Sequence, residues 1–223
     1  MMDRPEADPA MLVDDLRNLR IINKYFGGLR ALKNAVLPMA EFVEPGDTIT
    51  ILDLATGSAD LPVALVRVLV NVGRRMRVVA VNRNEVMLET ARKFASSIKE
   101  IEFERQDIMN LPYKDRSFDI VICSLAIHHF SREDGINLLR EMNRIARIGF
   151  VVNDLSRSYI GAVTAWLYTR LTTRNPMTRY DSVISVLRAF TKDELTAMAV
   201  EAGVGNVRIY TAPLFRLLAV LEK

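Results

Sequence analysis

The chain is poor in the side chains that most often carry reactive chemistry. Its 223 residues include one cysteine and two histidines. A single cysteine excludes an internal disulfide framework, and Cys123 lies in an apolar run that marks it as a buried thiol. The two histidines are adjacent and lack the helical His-x-x-x-His spacing of a zinc pair, so no metal site is expected. Charge of one sign is scarce as well. Thirty Lys and Arg against 27 Asp and Glu leave a net charge of +3, short of the basic footprint of a nucleic-acid binder. No stretch reaches the ~18 apolar residues of a membrane span. The opening Met-Met-Asp-Arg-Pro-Glu-Ala-Asp-Pro lacks the apolar core of a signal peptide, and a cytoplasmic setting is expected. Repeats and low-complexity tracts are missing too.

What remains is an ordinary globular balance, half hydrophobic and a quarter charged, at a length that fits one α/β domain. Residues 1–10 read as a disordered tail. Apolar Leu12, Leu16, Leu19 and Ile22 then recur at helical spacing, and Gly27-Gly28 ends that helix. A second helix over roughly 29–42 contains Pro38. Next come short apolar runs separated by amphipathic segments: strands near 49–54, 77–81, 101–105, 118–124 and 148–154, with helices over 61–72, 86–98 and 132–146. This alternation predicts a doubly wound, mostly parallel sheet. Residues 155–190 break the rhythm with a helical insertion in which Asn175-Pro176 ends a helix over 159–171. Thr191-Lys192-Asp193-Glu194 is a capping box for the last helix. Two final strands, about 206–211 and 214–221, form a hairpin-like edge.

The chemistry is concentrated in Thr50–Leu61, Thr-Ile-Leu-Asp-Leu-Ala-Thr-Gly-Ser-Ala-Asp-Leu. A β-branched strand delivers an acid, Asp53, to its C-terminal rim. Small residues 55–59 form a tight turn, and a helix opens with Pro62 in its first turn. Such a turn lets the backbone approach a ligand at a helix N-terminus. It also describes an ordinary βα connection. A pyrophosphate site would want G-x-G-x-x-G, and only Gly57 is present, so a nicotinamide-dependent oxidoreductase is the weaker reading.

On this stretch the chain resembles the class I S-adenosylmethionine-dependent methyltransferases, nearest the quinone and polyketide-type small-molecule branch. The resemblance implies a Rossmann-like, seven-stranded sheet over residues 11–223, with N-terminal helices over 11–45 and an acceptor-site lid over 155–190. It also implies S-adenosylmethionine as cofactor, held by Asp53, Ala55, Thr56, Gly57 and Asp60 of the first turn. Asn82, Arg83 and Met87 follow the second strand. Asn82 stands where the family places Asp or Glu, and an amide binds ribose hydroxyls less strongly than a carboxylate does. Gln106-Asp107-Ile108 matches the motif whose acid meets the adenine, though a loop carboxylate capping the next turn would read the same way. Ser124 and Leu125 lead from the fourth strand into His128-His129. Two adjacent histidines diverge on a regular element, so one of them is expected in the pocket, as a general base or as part of the rim.

The predicted activity is methyl transfer to a small molecule, an aromatic or polyketide-like hydroxyl or a quinone ring. Nucleic-acid acceptors are disfavoured because the Asn/Asp-Pro-Pro-Tyr/Phe motif is absent. A non-catalytic S-adenosylmethionine-binding protein is the alternative that Asn82 suggests. Arg157, Arg170, Arg174 and Arg179, with no acid between Leu155 and Tyr180, read as a solvated face, or else as a contact with an anionic substrate or, peripherally, with a membrane surface.

Overall fold

The computed structural model describes residues 8–223. Seven strands form one sheet in the order β3-β2-β1-β4-β5-β7-β6. The strands are β1 (Thr48–Leu54), β2 (Arg75–Asn82), β3 (Ile101–Arg105), β4 (Phe118–Ser124), β5 (Ala146–Leu155), β6 (Arg208–Ala212) and β7 (Arg216–Glu222). The first five pair in parallel, and β7 runs antiparallel to both β5 and β6. The two last strands do form a hairpin, but β7 is an interior strand and only β6 lies at the edge. The continuous run Leu217–Leu221 fits that interior place, because both of its faces are buried.

Strand alternation divides the core in two. Leu52, Leu54, Val121, Cys123 and Phe150 face helices α5 (Arg132–Ile145) and α8 (Lys192–Glu201). Ile49, Ile51, Ile120, Ile122 and Val151 face α2 (Gly28–Ala40) and α3 (Asp60–Asn71). Burial pushes the Cys123 thiol well above its ordinary value, as its place between the layers demands.

Local chemistry sets the helix ends. Asn84 Oδ1 accepts from Met87 N and caps α4 (Glu85–Phe94). Thr191 and Glu194 complete the capping box of α8. Pro38 is tolerated because α2 ends two residues later. The first helix, α1 (Pro9–Tyr25), starts earlier than the expected tail allows, since Asp8 Oδ1 accepts from Ala10 and Met11 N–H and Pro9 occupies the first turn. The rest of that tail, residues 1–7, lies outside the described residues. The insertion holds two helices, α6 (Tyr159–Thr172) and α7 (Pro176–Arg188). The Asn175-Pro176 pair that stops the first also starts the second, with Asn175 Oδ1 accepting from Met177 and Thr178 N–H.

Leu12 and Leu16 of α1, Met87 of α4 and Met177 of α7 form a third apolar cluster over the C-terminal ends of the strands. That cluster roofs the functional site.

Candidate active site

Two cavities meet at the C-terminal rim of the sheet, where ligands of open α/β sheets bind. The outer one, about 520 Å³, lies between β1, β2 and β4. All twelve residues expected to hold a cofactor border it: Asp53, Ala55, Thr56, Gly57, Asp60, Asn82, Arg83, Met87, Asp107, Ile108, Ser124 and Leu125. The inner one, about 130 Å³, lies under α1, α6 and α7. Leu19, Leu125 and His129 border both cavities and so join them.

The outer cavity is built on a strained loop. Ala55, Gly57 and Ala59 all have positive φ, near 55–58°, and Thr56 N donates to Val81 O at 2.9 Å, which ties the turn to β2. A Cβ on Gly57 would rest 3.8 Å from Leu16 Cδ2, so α1 closes over the turn and only the backbone conformation demands glycine there. Burial pushes the Asp53 carboxyl up to about 7; the Thr56 side chain lowers it and the Asp60 charge raises it. Burial also raises Asp60, against the lowering hydrogen bonds from Asn23 (3.1 Å) and Ser58 (3.0 Å).

Asn82 Oδ1 accepts from Asn84 N at 2.9 Å, a local turn that holds the amide at the cavity wall. Asp107 Oδ1 accepts from Met109 N at 3.0 Å, so it caps the following turn while bordering the cavity. Ser124 Oγ is buried without a hydrogen-bond partner. An acid-flanked cleft of this volume, with apolar Met87 and Ile108 along it and an unpartnered hydroxyl at its floor, fits a nucleoside-bearing sulfonium cofactor.

The inner cavity has different chemistry. His128 and His129 occupy a single 3₁₀ turn, Ile127–His129, with ring centroids 4.1 Å apart. Both border this cavity, against the expectation that only one would, because the cavity touches two sides of the turn. His128 Nδ1 lies 2.6 Å from Asp154 Oδ1, and its backbone N–H donates to Asp154 Oδ2 at 3.4 Å. Both side chains are buried. Burial alone would raise the Asp154 carboxyl, yet His128, as charge and as hydrogen bond, and the Leu155 N–H hold it below its ordinary value. His128 Nε2 is buried and has no hydrogen-bond partner among the described residues.

Three further groups were not visible in the sequence. Arg216 is fully buried; its Nη2 donates to Asn23 Oδ1 at 3.2 Å, and Nε and Nη1 lack partners. Burial lowers its guanidinium to about 10 against the raising charges of Asp154 and Asp60. A Cβ on Gly28 would lie 2.7 Å from Nη2, so glycine there makes room for the guanidinium. Asp15 is pushed up to about 6 by burial, with Thr178 Oγ1 donating to its Oδ1 at 2.6 Å. Leu214 and Phe215, both at positive φ, fold the β6–β7 turn into the cavity wall.

The N-terminal helix covers the cleft through Leu16, Leu19 and Asn23. Arg20 instead lies over the Phe94 ring at 4.2 Å, and Tyr25 is exposed.

Residues 51–149 match a family model described as a methyltransferase domain. The chain is 33% identical over 107 residues to a demethylmenaquinone methyltransferase of Staphylococcus epidermidis, a match covering 48% of this chain and 42% of that protein. The chain thus spans less than half the length of that relative. It is 26% identical over 198 residues to a 2-phytyl-1,4-naphtoquinone methyltransferase of Synechococcus elongatus, with 82% of each covered. Among solved structures, it superposes on a SAM dependent methyltransferase from Aquifex aeolicus with a TM-score of 0.63 at 16% identity, covering 96% and 98% of the two chains. The CurJ carbon methyltransferase gives a TM-score of 0.71 at 14% identity over 99% and 62%. Residues 51–149 are thus similar to a methyltransferase domain, and the sheet order and the superpositions show the Rossmann-like α/β fold shared with those methyltransferase structures.

Proposed function

We propose that the chain methylates a small phenol or hydroquinone of the quinone type, with His128 as the base and Asp154 as its anchor. The carrying observation is the pairing of a fixed Nδ1 with a buried, unpartnered Nε2 at a cavity that adjoins the cofactor cleft. The curated relatives above, named for quinone acceptors, support the same class.

S-adenosylmethionine, when bound, supplies an electrophilic methyl carbon. The chain's own residues divide the rest. Asp53, Asp60, Asn82 and Asp107 hold the cofactor's polar groups along the strand ends, while Met87 and Ile108 flank its ring. His128 Nε2 accepts the acceptor's hydroxyl proton, which leaves electron density on oxygen and ring carbon. Asp154 keeps the Nδ1–H tautomer in place and stabilises the imidazolium that forms. Arg216 offers Nε–H and Nη1–H to a second oxygen on the acceptor, since a buried guanidinium with unused donors favours a partial negative charge. The insertion helices act as the acceptor-site lid: Ala165 and Tyr168 of α6 and Ser182 of α7 wall a cavity of ring size, comparable with the ~150 Å³ space that holds benzene. A small, largely apolar cavity of this kind suits a small molecule and not a nucleic acid.

The test is transfer of labelled methyl to a panel of phenols, hydroquinones and naphthohydroquinones. Turnover on a dihydroxylated ring, with His128→Gln lowering kcat by about 10²–10⁴-fold and S-adenosylhomocysteine affinity unchanged by calorimetry, is the expected result. Undiminished turnover in His128→Gln would remove the base from the proposal.

A further inference from the structure

Helix α6 carries an apolar stripe on its outer side that nothing among the described residues covers. Ile160, Val163, Leu167 and Leu171 recur at three- and four-residue steps and share one face, with Tyr159 and Trp166 along its flank. These six are between 49 and 85% exposed. The opposite face of the same helix is buried, at Gly161, Ala162 and Thr169. A helix whose only task was to wall the inner cavity would carry polar side chains outward. A contiguous apolar face on the surface instead marks an interaction site.

The charged side chains of the segment that carries the stripe have one sign. Residues 155–180 contain Arg157, Arg170, Arg174 and Arg179 and no acid. Arg157 pairs with Glu194, and Arg179 donates to the carbonyls of Thr173 and Arg170. Arg170 and Arg174 are exposed at the C-terminal end of the helix, with Arg170 5.8 Å from the Trp166 ring centroid. A second copy of the chain is a poor occupant, because a two-fold contact would bring the arginines of both segments into one interface with no acid of either segment to meet them. An anionic bilayer meets both features: acyl chains take the stripe and headgroup phosphates take the arginines, with Trp and Tyr at the boundary.

We infer that the outer face of α6 docks on an anionic lipid surface. The helix then lies in the membrane interface, with Ile160, Val163, Leu167 and Leu171 below the headgroups and Arg170 and Arg174 among them. Its inner face walls the proposed acceptor cavity, so docking brings that cavity to the bilayer, where a lipid-soluble acceptor resides. The docking itself does not rest on the methyl-transfer reading.

Co-sedimentation of the full chain with phosphatidylglycerol–phosphatidylcholine vesicles and with pure phosphatidylcholine vesicles, without cofactor or acceptor, tests it. Binding to the anionic vesicles is expected, weakening as salt screens the arginines. Ile160→Asp with Leu171→Asp should cut partitioning at least tenfold. Arg170→Gln and Arg174→Gln should cut it roughly fivefold each on anionic vesicles, the effect of a basic residue near such a surface, and leave neutral vesicles unaffected. Retained S-adenosylhomocysteine binding, with turnover of a water-soluble acceptor at the parent rate, shows that the variants are folded. The inference is overturned if the parent stays in the supernatant with anionic vesicles or if the variants partition like the parent. A concentration-dependent dimer that Ile160→Asp with Leu171→Asp abolishes would also overturn it, by assigning the face to self-association. Absence of methyl transfer to any acceptor would leave the sedimentation result standing.

Discussion

The substitution Asp154→Asn keeps the shape of the buried pair and removes its charge. With its amide oxygen in the place of Oδ1, the new side chain can still accept from the Leu155 N–H, which now donates there at 2.6 Å, and from His128 Nδ1; the amide nitrogen replaces Oδ2 and gives up only the long 3.4 Å bond from the His128 backbone N–H. Folding should therefore survive. What changes is the energy of the imidazolium that forms when His128 takes a proton. For unit charges about 4 Å apart in an effective dielectric of about 20, the carboxylate stabilises that cation by about 4 kcal/mol. Part of this is offset in the parent by desolvating the carboxylate, the effect that alone would raise its pKa. A net loss of about 3–4 kcal/mol corresponds to a drop in kcat of about 10²–10³-fold. Affinity for S-adenosylhomocysteine should hold, since Asp154 does not border the outer cavity. Steady-state methyl transfer and calorimetry on the same sample separate the two. Turnover within threefold of the parent would refute a role for the pair in proton transfer, and weakened product binding would show that Asp154 acts through the cofactor site.

Substitutions at two other positions probe the walls. Asp15, raised by burial to about 6 against an unfolded value of about 3.9, binds more protons in the folded chain, so its contribution to stability falls as pH rises from about 4 to 6. Asp15→Asn should thus add about 1–2 kcal/mol at pH 8, less than the full linkage value because the amide keeps only part of the Thr178 hydrogen bond that the carboxylate accepts; at pH 4 it should add almost nothing, and equal gains in urea unfolding at the two pH values would contradict this. Asn82→Asp should tighten S-adenosylhomocysteine severalfold, because an ionised acceptor contributes more than a neutral one. Asn82→Ala should weaken it, and parent-like binding in Asn82→Ala, measured beside a melting curve for the lost Asn84 contact, would show that the amide does not meet the ribose.

The parallel half of the sheet was legible because each strand is a short local pattern: Ile101–Arg105 and Phe118–Ser124 appear with the bounds that the sequence suggests. The same holds for the strand-end residues Asp53, Asn82 and Ser124, whose position in the chain fixes their position at the rim. The place of β7 was less legible, since two short runs this close in the chain say that two strands pair and not which of them meets β5. Helix α7 was missed because Asn175-Pro176 reads equally as a stop and as a start. The inner cavity was out of reach for another reason. Asp154 meets His128 across 26 positions, Asp15 meets Thr178 across 163 and Arg216 meets Asn23 across 193. No local pattern carries such pairings. Asp154 did leave one trace, as an acid near the end of a buried strand, the same signature that marked Asp53.

The positive-φ residues gathered at the two cavities bear on when the cost of order is met. Ala55, Leu125, Leu214 and Phe215 each hold a left-handed conformation that a side chain disfavours by roughly 1 kcal/mol. Backbone bonds clamp the segments around them: Thr56 N to Val81 O, Leu125 N to Asn153 O, and Ser156 N to Phe215 O at 2.9, 3.0 and 2.7 Å. Folding therefore fixes these rims in advance, and a ligand need not immobilise them on arrival. Glycine at Ala55 would relieve the local strain while giving the unfolded chain, and any opened rim, more freedom to lose.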